Sequence, residues 1–152
     1  MKSYHKTLTK RSANRKNELE ITRSAYNRLS RQKDLIFSFN VPILGRCADL
    51  VYLEGPWAIS VEFKLRDWRR AILQARDHRL AANYAYVCLP RRRNINKILP
   101  ELRASGVGLF FYTKEDDWPF ETVEKAPLSY DTWNLAREEL GRYLIERNRG
   151  WI

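Results

Sequence analysis

Two apolar runs joined by a short turn signal constrain this chain most. Arg46 to Leu53 (RCADLVYL) and Trp57 to Leu65 (WAISVEFKL) are separated only by Glu54-Gly55-Pro56. Gly-Pro interrupts regular structure, and the runs are rich in β-formers, so an antiparallel hairpin is expected. Centring the turn between Gly55 and Pro56 sets Asp49 opposite Glu62. Facing residues have Cβ atoms roughly 4.5–5.5 Å apart, and two carboxylates at that distance repel. The surrounding Val, Ile, Leu and Phe residues add desolvation. A divalent cation between the acids would relieve both costs, and Mg²⁺ suits a site with few carboxylates. Lys64, two residues past Glu62, is expected on the same strand face, with Ser60, while Ile59, Val61 and Phe63 point the other way. An ammonium there can orient a water and stabilise charge on a phosphate.

The rest of the chain reads as one α/β domain over 15–152, preceded by a basic arm over 1–14. Lys2, Lys6, Lys10, Arg11, Arg15 and Lys16 fall in the first 17 residues without a single acid. A helix is expected over 15–31, with Leu19, Thr22, Tyr26 and Leu29 at helical spacing and Ile21 and Ala25 widening the stripe. Strands are expected over Leu35–Val41, in the two hairpin runs, and over Tyr84–Leu89 and Gly108–Tyr112. Helices are expected from Asp67, as N-cap, to about Ala82, from about Asn94 to Ala104, and from about Asp131 to Arg147. Glu115 to Trp118 reads as a polar loop. Helical crossovers between strands favour parallel pairing, so the sheet should be mixed and flanked by helices.

Lys and Arg number 28 against 18 Asp and Glu, a net charge of +10. This balance suits a polyanion, most commonly nucleic acid. No run is apolar and long enough to span a bilayer, and the N-terminus has no apolar signal core, so an intracellular, cytoplasmic protein is expected. Cys47 and Cys88 are expected to be buried, reduced thiols, and two cysteines without nearby partners make no zinc site.

Ala48-Asp49, a hairpin, Glu62-Phe63-Lys64 and then a helix containing Gln74 together resemble the PD-(D/E)XK nuclease superfamily, which includes Holliday-junction resolvases and RecB-type exonucleases. The likeness covers roughly residues 15–112. It implies a restriction-endonuclease-like α/β fold with an α-β-β-β-α-β core. It also implies hydrolysis of phosphodiester bonds, with DNA the expected substrate, dependent on Mg²⁺ or Mn²⁺. By that resemblance Asp49 and Glu62 are metal ligands, Lys64 is the catalytic lysine, and Glu18, preferred over Glu20, is the helix-one acid that assists on the metal's far side. Gln74 matches a glutamine found in some members; His78 stands where RecB-type members have Tyr, and Ala48 replaces the motif's proline. Ala71, Gln74, Ala75, His78 and Ala82 form a small-residue face for packing on the sheet, in which Gln74 and His78 must find partners. Arg46, Arg66, Arg69, Arg70, Arg91, Arg92 and Arg93, with Arg76 and Arg79, are expected as a group to meet phosphates. Trp68, Tyr112 and Trp118 are candidates for base stacking, although core packing is expected of the tryptophans. A homodimer or a partner subunit could supply specificity. The alternative is a catalytically silent nucleic-acid-binding module, or a basic adaptor, on the same fold.

Overall fold

A computed structural model describes residues 17–150; the basic arm expected at 1–14 lies outside the described residues. The chain is α/β, with a six-stranded mixed sheet flanked by helices. Helix α1 covers residues 17–30. Then follow β1 (Phe37–Ile43), β2 (Arg46–Glu54), β3 (Trp57–Phe63), α2 (Trp68–His78), β4 (Tyr84–Pro90), α3 (Ile98–Ser105), β5 (Gly108–Tyr112), β6 (Phe120–Glu124) and α4 (Asn134–Asn148). The strands lie in sequence order across the sheet. The first three pair antiparallel, β3–β4 and β4–β5 are parallel across the α2 and α3 crossovers, and β6 returns antiparallel. The α-β-β-β-α-β order expected of the core is therefore present.

Alternation along the strands divides the interior. Leu50, Tyr52, Ile59, Val61, Phe63, Tyr86 and Phe110 pack with Ala25 and Leu29 of α1. On the opposite face Ala85, Val87, Leu89 and Leu109 meet Ala71, Ile72 and Ala75 of α2 and Leu102 of α3. Val51 and Ala58 lie with Ala136, Leu140 and Leu144 of α4. Asp67 caps α2 by accepting from the Arg70 backbone N–H at 3.3 Å. Ala71 and Ala75 let that helix sit close to the sheet.

Three expectations change. The buried stripe of α1 runs through Ala25 and Leu29, whereas Leu19 and Tyr26 are 62% and 51% exposed. Helical spacing alone did not decide between those stripes; the sheet did. Strand β6 was not expected, because Phe120-Glu121-Thr122-Val123-Glu124 is an edge strand with exposed polar positions, and its register against β5 is irregular near Leu109. Cys88 is buried but Cys47 is exposed, so only one of the two thiols is interior. No helix among the described residues is long and apolar enough to cross a membrane.

Gly108 leaves no room for a side chain. A Cβ there would lie 2.6 Å from the Ala126 backbone nitrogen and against the Tyr86 ring. That ring is itself held, since Ala126 N–H donates to the Tyr86 hydroxyl at 3.1 Å. Gly108→Ala is expected to cost about 1–3 kcal/mol through overpacking. Urea unfolding would show this as a lower midpoint with an unchanged slope.

Candidate active site

The β2–β3 hairpin has the register read from the sequence: Glu54 faces Trp57 and Leu50 faces Val61. The ladder ends there, one position short of Asp49 and Glu62. On its other side β3 stays paired to β4, through Glu62 with Val87 and Phe63 with Cys88, and then through Lys64 N–H to the Cys88 carbonyl at 3.1 Å. So β2 leaves while β4 remains, and the two acids fill the opening. Asp49 N–H donates to Glu62 Oε1 at 3.1 Å, and Phe63 N–H donates to Asp49 Oδ2 at 2.9 Å. Each carboxylate thus takes a backbone donor from the other strand.

Asn40 on β1 explains part of this divergence. Its φ is +53°, in the left-handed region that Asn tolerates better than most residues. The β1–β2 pairing passes over Asn40, running from Phe39–Leu50 to Val41–Ala48. Across that kink the strands change face: Leu50 packs with the α1 core, with Phe39 against it, while Val41 and Ala48 pack on the α4 side. Asp49 sits at the change of face. Sequence reasoning missed Asn40; its signal was a lone Asn inside an apolar strand run.

Asp49, Lys64 and Glu18 line one open cleft of about 360 Å³, with Leu19, Thr22, Asn40 and Phe63. Lys64 follows the last residue of β3, so strand alternation no longer fixes its direction. It shares this cleft with Phe63 rather than keeping to the face of Ser60. Glu62 lies behind, only 3% exposed. Glu18 accepts from Leu65 N–H at 3.3 Å, which ties α1 to the end of β3. Glu20 lines a different groove with Arg23, Arg31 and Lys114, so Glu18 is the helix-one acid at this cleft. Glu18 does not complete a three-carboxylate centre: among the described residues no three His, Cys, Asp or Glu side chains are gathered closely enough to hold an ion alone.

The electrostatics follow from burial. Desolvation, then the Asp49 charge and a hydrogen bond shared with its carboxyl, push Glu62 up to about 9, against an ordinary value near 4.5. His78 comes from the last turn of α2 and is 2% exposed. Desolvation pushes it down to about 4. Its Nδ1 lies 3.6 Å from Glu62 Oε1 and has no hydrogen-bond partner. Both groups are therefore uncharged near neutral pH, and the contact is not an ion pair. Gln74, one turn earlier, is half-buried, and its Oε1 is buried without a partner.

Two ionised carboxylates here would face each other with little solvent, so the pair keeps a proton. A divalent cation that replaced that proton would meet an acid pair already held by backbone donors. The donor set fits Mg²⁺ or Mn²⁺, which use one or two carboxylates and fill their remaining positions with water and phosphate.

The arginines divide by partner. Arg46 pairs with Asp77, Arg69 with Glu101, Arg91 with Glu121, Arg76 with Asp77, and Arg79 with Asp131. The guanidinium groups of Arg66, Arg70, Arg92 and Arg93 have no ion pair or hydrogen bond among the described residues. Arg66 and Arg70 follow β3, and Arg92 and Arg93 follow β4. These strands are parallel, so all four come from the sheet edge that carries Lys64. The aromatic candidates are packed instead. Trp118 meets Tyr52 and Phe120 edge-on, Tyr112 has the Arg28 guanidinium over its ring at 4.8 Å, and Arg69 covers Trp68 at 4.4 Å.

No protein-family model matches the chain, and no curated protein matches it. Among solved structures it is similar to the SPO1766 protein of unknown function from Silicibacter pomeroyi. The TM-score is 0.59, the identity 15%, and 84% of each chain is covered. At that identity the likeness concerns the fold.

The two shifted groups set a pH signature for the metal-free protein. Folded Glu62 keeps a proton between about 4.5 and 9 that the unfolded chain has released, so its contribution to stability is lost as pH rises through that window. His78 acts oppositely between about 4 and 6.5, where the unfolded chain holds the extra proton. The two oppose each other below about 6.5, and above it Glu62 acts without His78. Thermal unfolding in chelator should show wild-type stability declining from pH 6.5 to 9, and Glu62→Gln should flatten that decline.

Proposed function

We propose that this chain is a divalent-metal-dependent nuclease of the PD-(D/E)XK type that hydrolyses phosphodiester bonds, with DNA as its substrate. The observation that carries this reading is the acid pair at the point where β2 and β3 part, with Lys64 immediately beyond. A buried carboxylate set beside a second one costs stability, and ordinary packing gives no return for it. Asp49 and Glu62 would hold Mg²⁺ or Mn²⁺. When bound, the ion polarises the phosphate and lowers the pKa of a water ligand.

The chain's own residues do the rest. Lys64 projects into the cleft, where its ammonium orients the attacking water and offsets charge developing on the phosphate oxygens. Water oxygen attacks phosphorus and releases its proton to solvent, while the bond from phosphorus to the leaving deoxyribose oxygen breaks and that oxygen takes a proton from solvent. Glu18 fixes α1 against Leu65, which sets one wall of the cleft. Gln74 would steady the site or touch the nucleic acid. Arg66, Arg70, Arg92 and Arg93 have free guanidinium groups at the same edge and are the preferred phosphate contacts. Arg46, Arg69 and Arg91 are already matched by carboxylates and contribute less.

Two measurements test this. Wild-type protein with Mg²⁺ or Mn²⁺ is expected to cleave single-stranded, duplex or branched DNA, and chelation is expected to stop it. Asp49→Ala and Lys64→Ala are expected to lower the rate by about 10²–10³-fold while leaving the fold intact. Binding without cleavage under every metal would assign a silent nucleic-acid-binding module instead. In binding assays, removing Arg66 and Arg70, or Arg92 and Arg93, should reduce the salt dependence of log K by about 0.9 for each phosphate no longer neutralised. Replacing Arg46 and Arg91 together should change it little.

A further inference from the structure

We propose that His78 is a positioning residue for Glu62, holding one carboxylate oxygen inward so that the other serves the metal. This inference rests on the metal-binding reading of the Asp49–Glu62 pair.

His78 is 2% exposed, and its Nδ1 is a buried polar atom without a hydrogen-bond partner. Buried polar atoms in folded proteins are nearly always paired, so one left open at a site needs a reason. The side chain before it is Glu62, whose Oε1 lies 3.6 Å away. That same Oε1 accepts the Asp49 backbone N–H at 3.1 Å. Oε1 therefore faces two protein groups, a backbone donor and the imidazole, which leaves Oε2 to serve a ligand. The separation is slightly longer than a hydrogen bond. Nδ1–H donation to Oε1 would close that gap and satisfy both atoms.

The position comes from the helix and not from the loop after it. The His78 carbonyl accepts from Ala81 and Ala82 N–H, at 3.1 and 2.8 Å, so the main chain ends α2 without help from the side chain. Ala75 and Ala71, one and two turns earlier, have no bulk to hold the helix away from β3. The imidazole is thus delivered to the back of the acid pair by close packing. Groups that orient metal-binding side chains from behind commonly alter metal affinity by about 10–100-fold.

The test is Mn²⁺ affinity, read from the free-ion signal in electron paramagnetic resonance at fixed pH, with no substrate present. Wild type is expected to bind. His78→Phe keeps an apolar ring of similar size but removes the donor, and is expected to bind about 10–100-fold more weakly. His78→Asn places an amide N–H near the position of Nδ1 and is expected to recover most of that loss. Should His78→Phe not fold, His78→Met, whose unbranched chain adapts to the space, takes its place. Wild-type affinity in His78→Phe, or equal losses in His78→Phe and His78→Asn, would overturn the positioning role while leaving the metal site standing. Absence of Mn²⁺ binding in wild type would overturn the metal-site reading itself, and this inference with it.

Discussion

Asp49 and Glu62 each accept a backbone hydrogen bond from the opposite strand at the point where β2 and β3 separate. Asp49 offers its N–H to Glu62, and Asp49 receives the N–H of Phe63. A strand that leaves its neighbour strands polar backbone groups, and in an interior those groups must be paired. The two acids pair them. They also bring negative charge into a place with little water, which the metal-free chain answers by keeping a proton on Glu62. Structural need and electrostatic cost meet in the same two side chains, and a cation is the partner that would settle the cost without giving up the hydrogen bonds.

The remainder of the fold converges on this opening. The parallel crossover from β3 to β4 makes α2 necessary, and α2 carries His78 to its rear. The same parallel pairing places the chain segments after β3 and β4 at one edge, so Lys64, Arg66, Arg70, Arg92 and Arg93 gather there. Helix α1 closes the front through Glu18 and Leu65. In open α/β sheets the region beyond the carboxyl ends of parallel strands is a common place for ligands. The basic charge in excess is therefore partly local: several arginines are matched by Asp or Glu, while Arg66, Arg70, Arg92 and Arg93 are not and follow the ends of β3 and β4.

Much of the hairpin was legible in advance because strand alternation and a Gly-Pro turn are local rules. The hairpin register and the parallel crossovers followed from residue order, although the ladder stops one pair short of Asp49 and Glu62. Harder to read were places where one rule met another. The α1 stripe had two candidate faces, and Leu19 and Tyr26 obeyed helical spacing as well as Ala25 and Leu29 did. Cys47 sat in an apolar run yet lies exposed, because the run begins at the strand's solvent end. Strand β6 has too few apolar residues to announce itself, and it forms because β5 offers an open edge.

The sequence by itself determined the acids, their register and the lysine beyond them, since these depend on neighbours a few residues apart. It also determined that the charge excess was basic. Only the tertiary structure decided that the β2–β3 ladder stops at Leu50 and Val61, that Asn40 turns the strands over, and that His78 meets Glu62 from α2. It also chose which arginines carboxylates hold and which stay free. Those outcomes depend on contacts between segments distant in the chain, where packing and desolvation act and local periodicity carries no information.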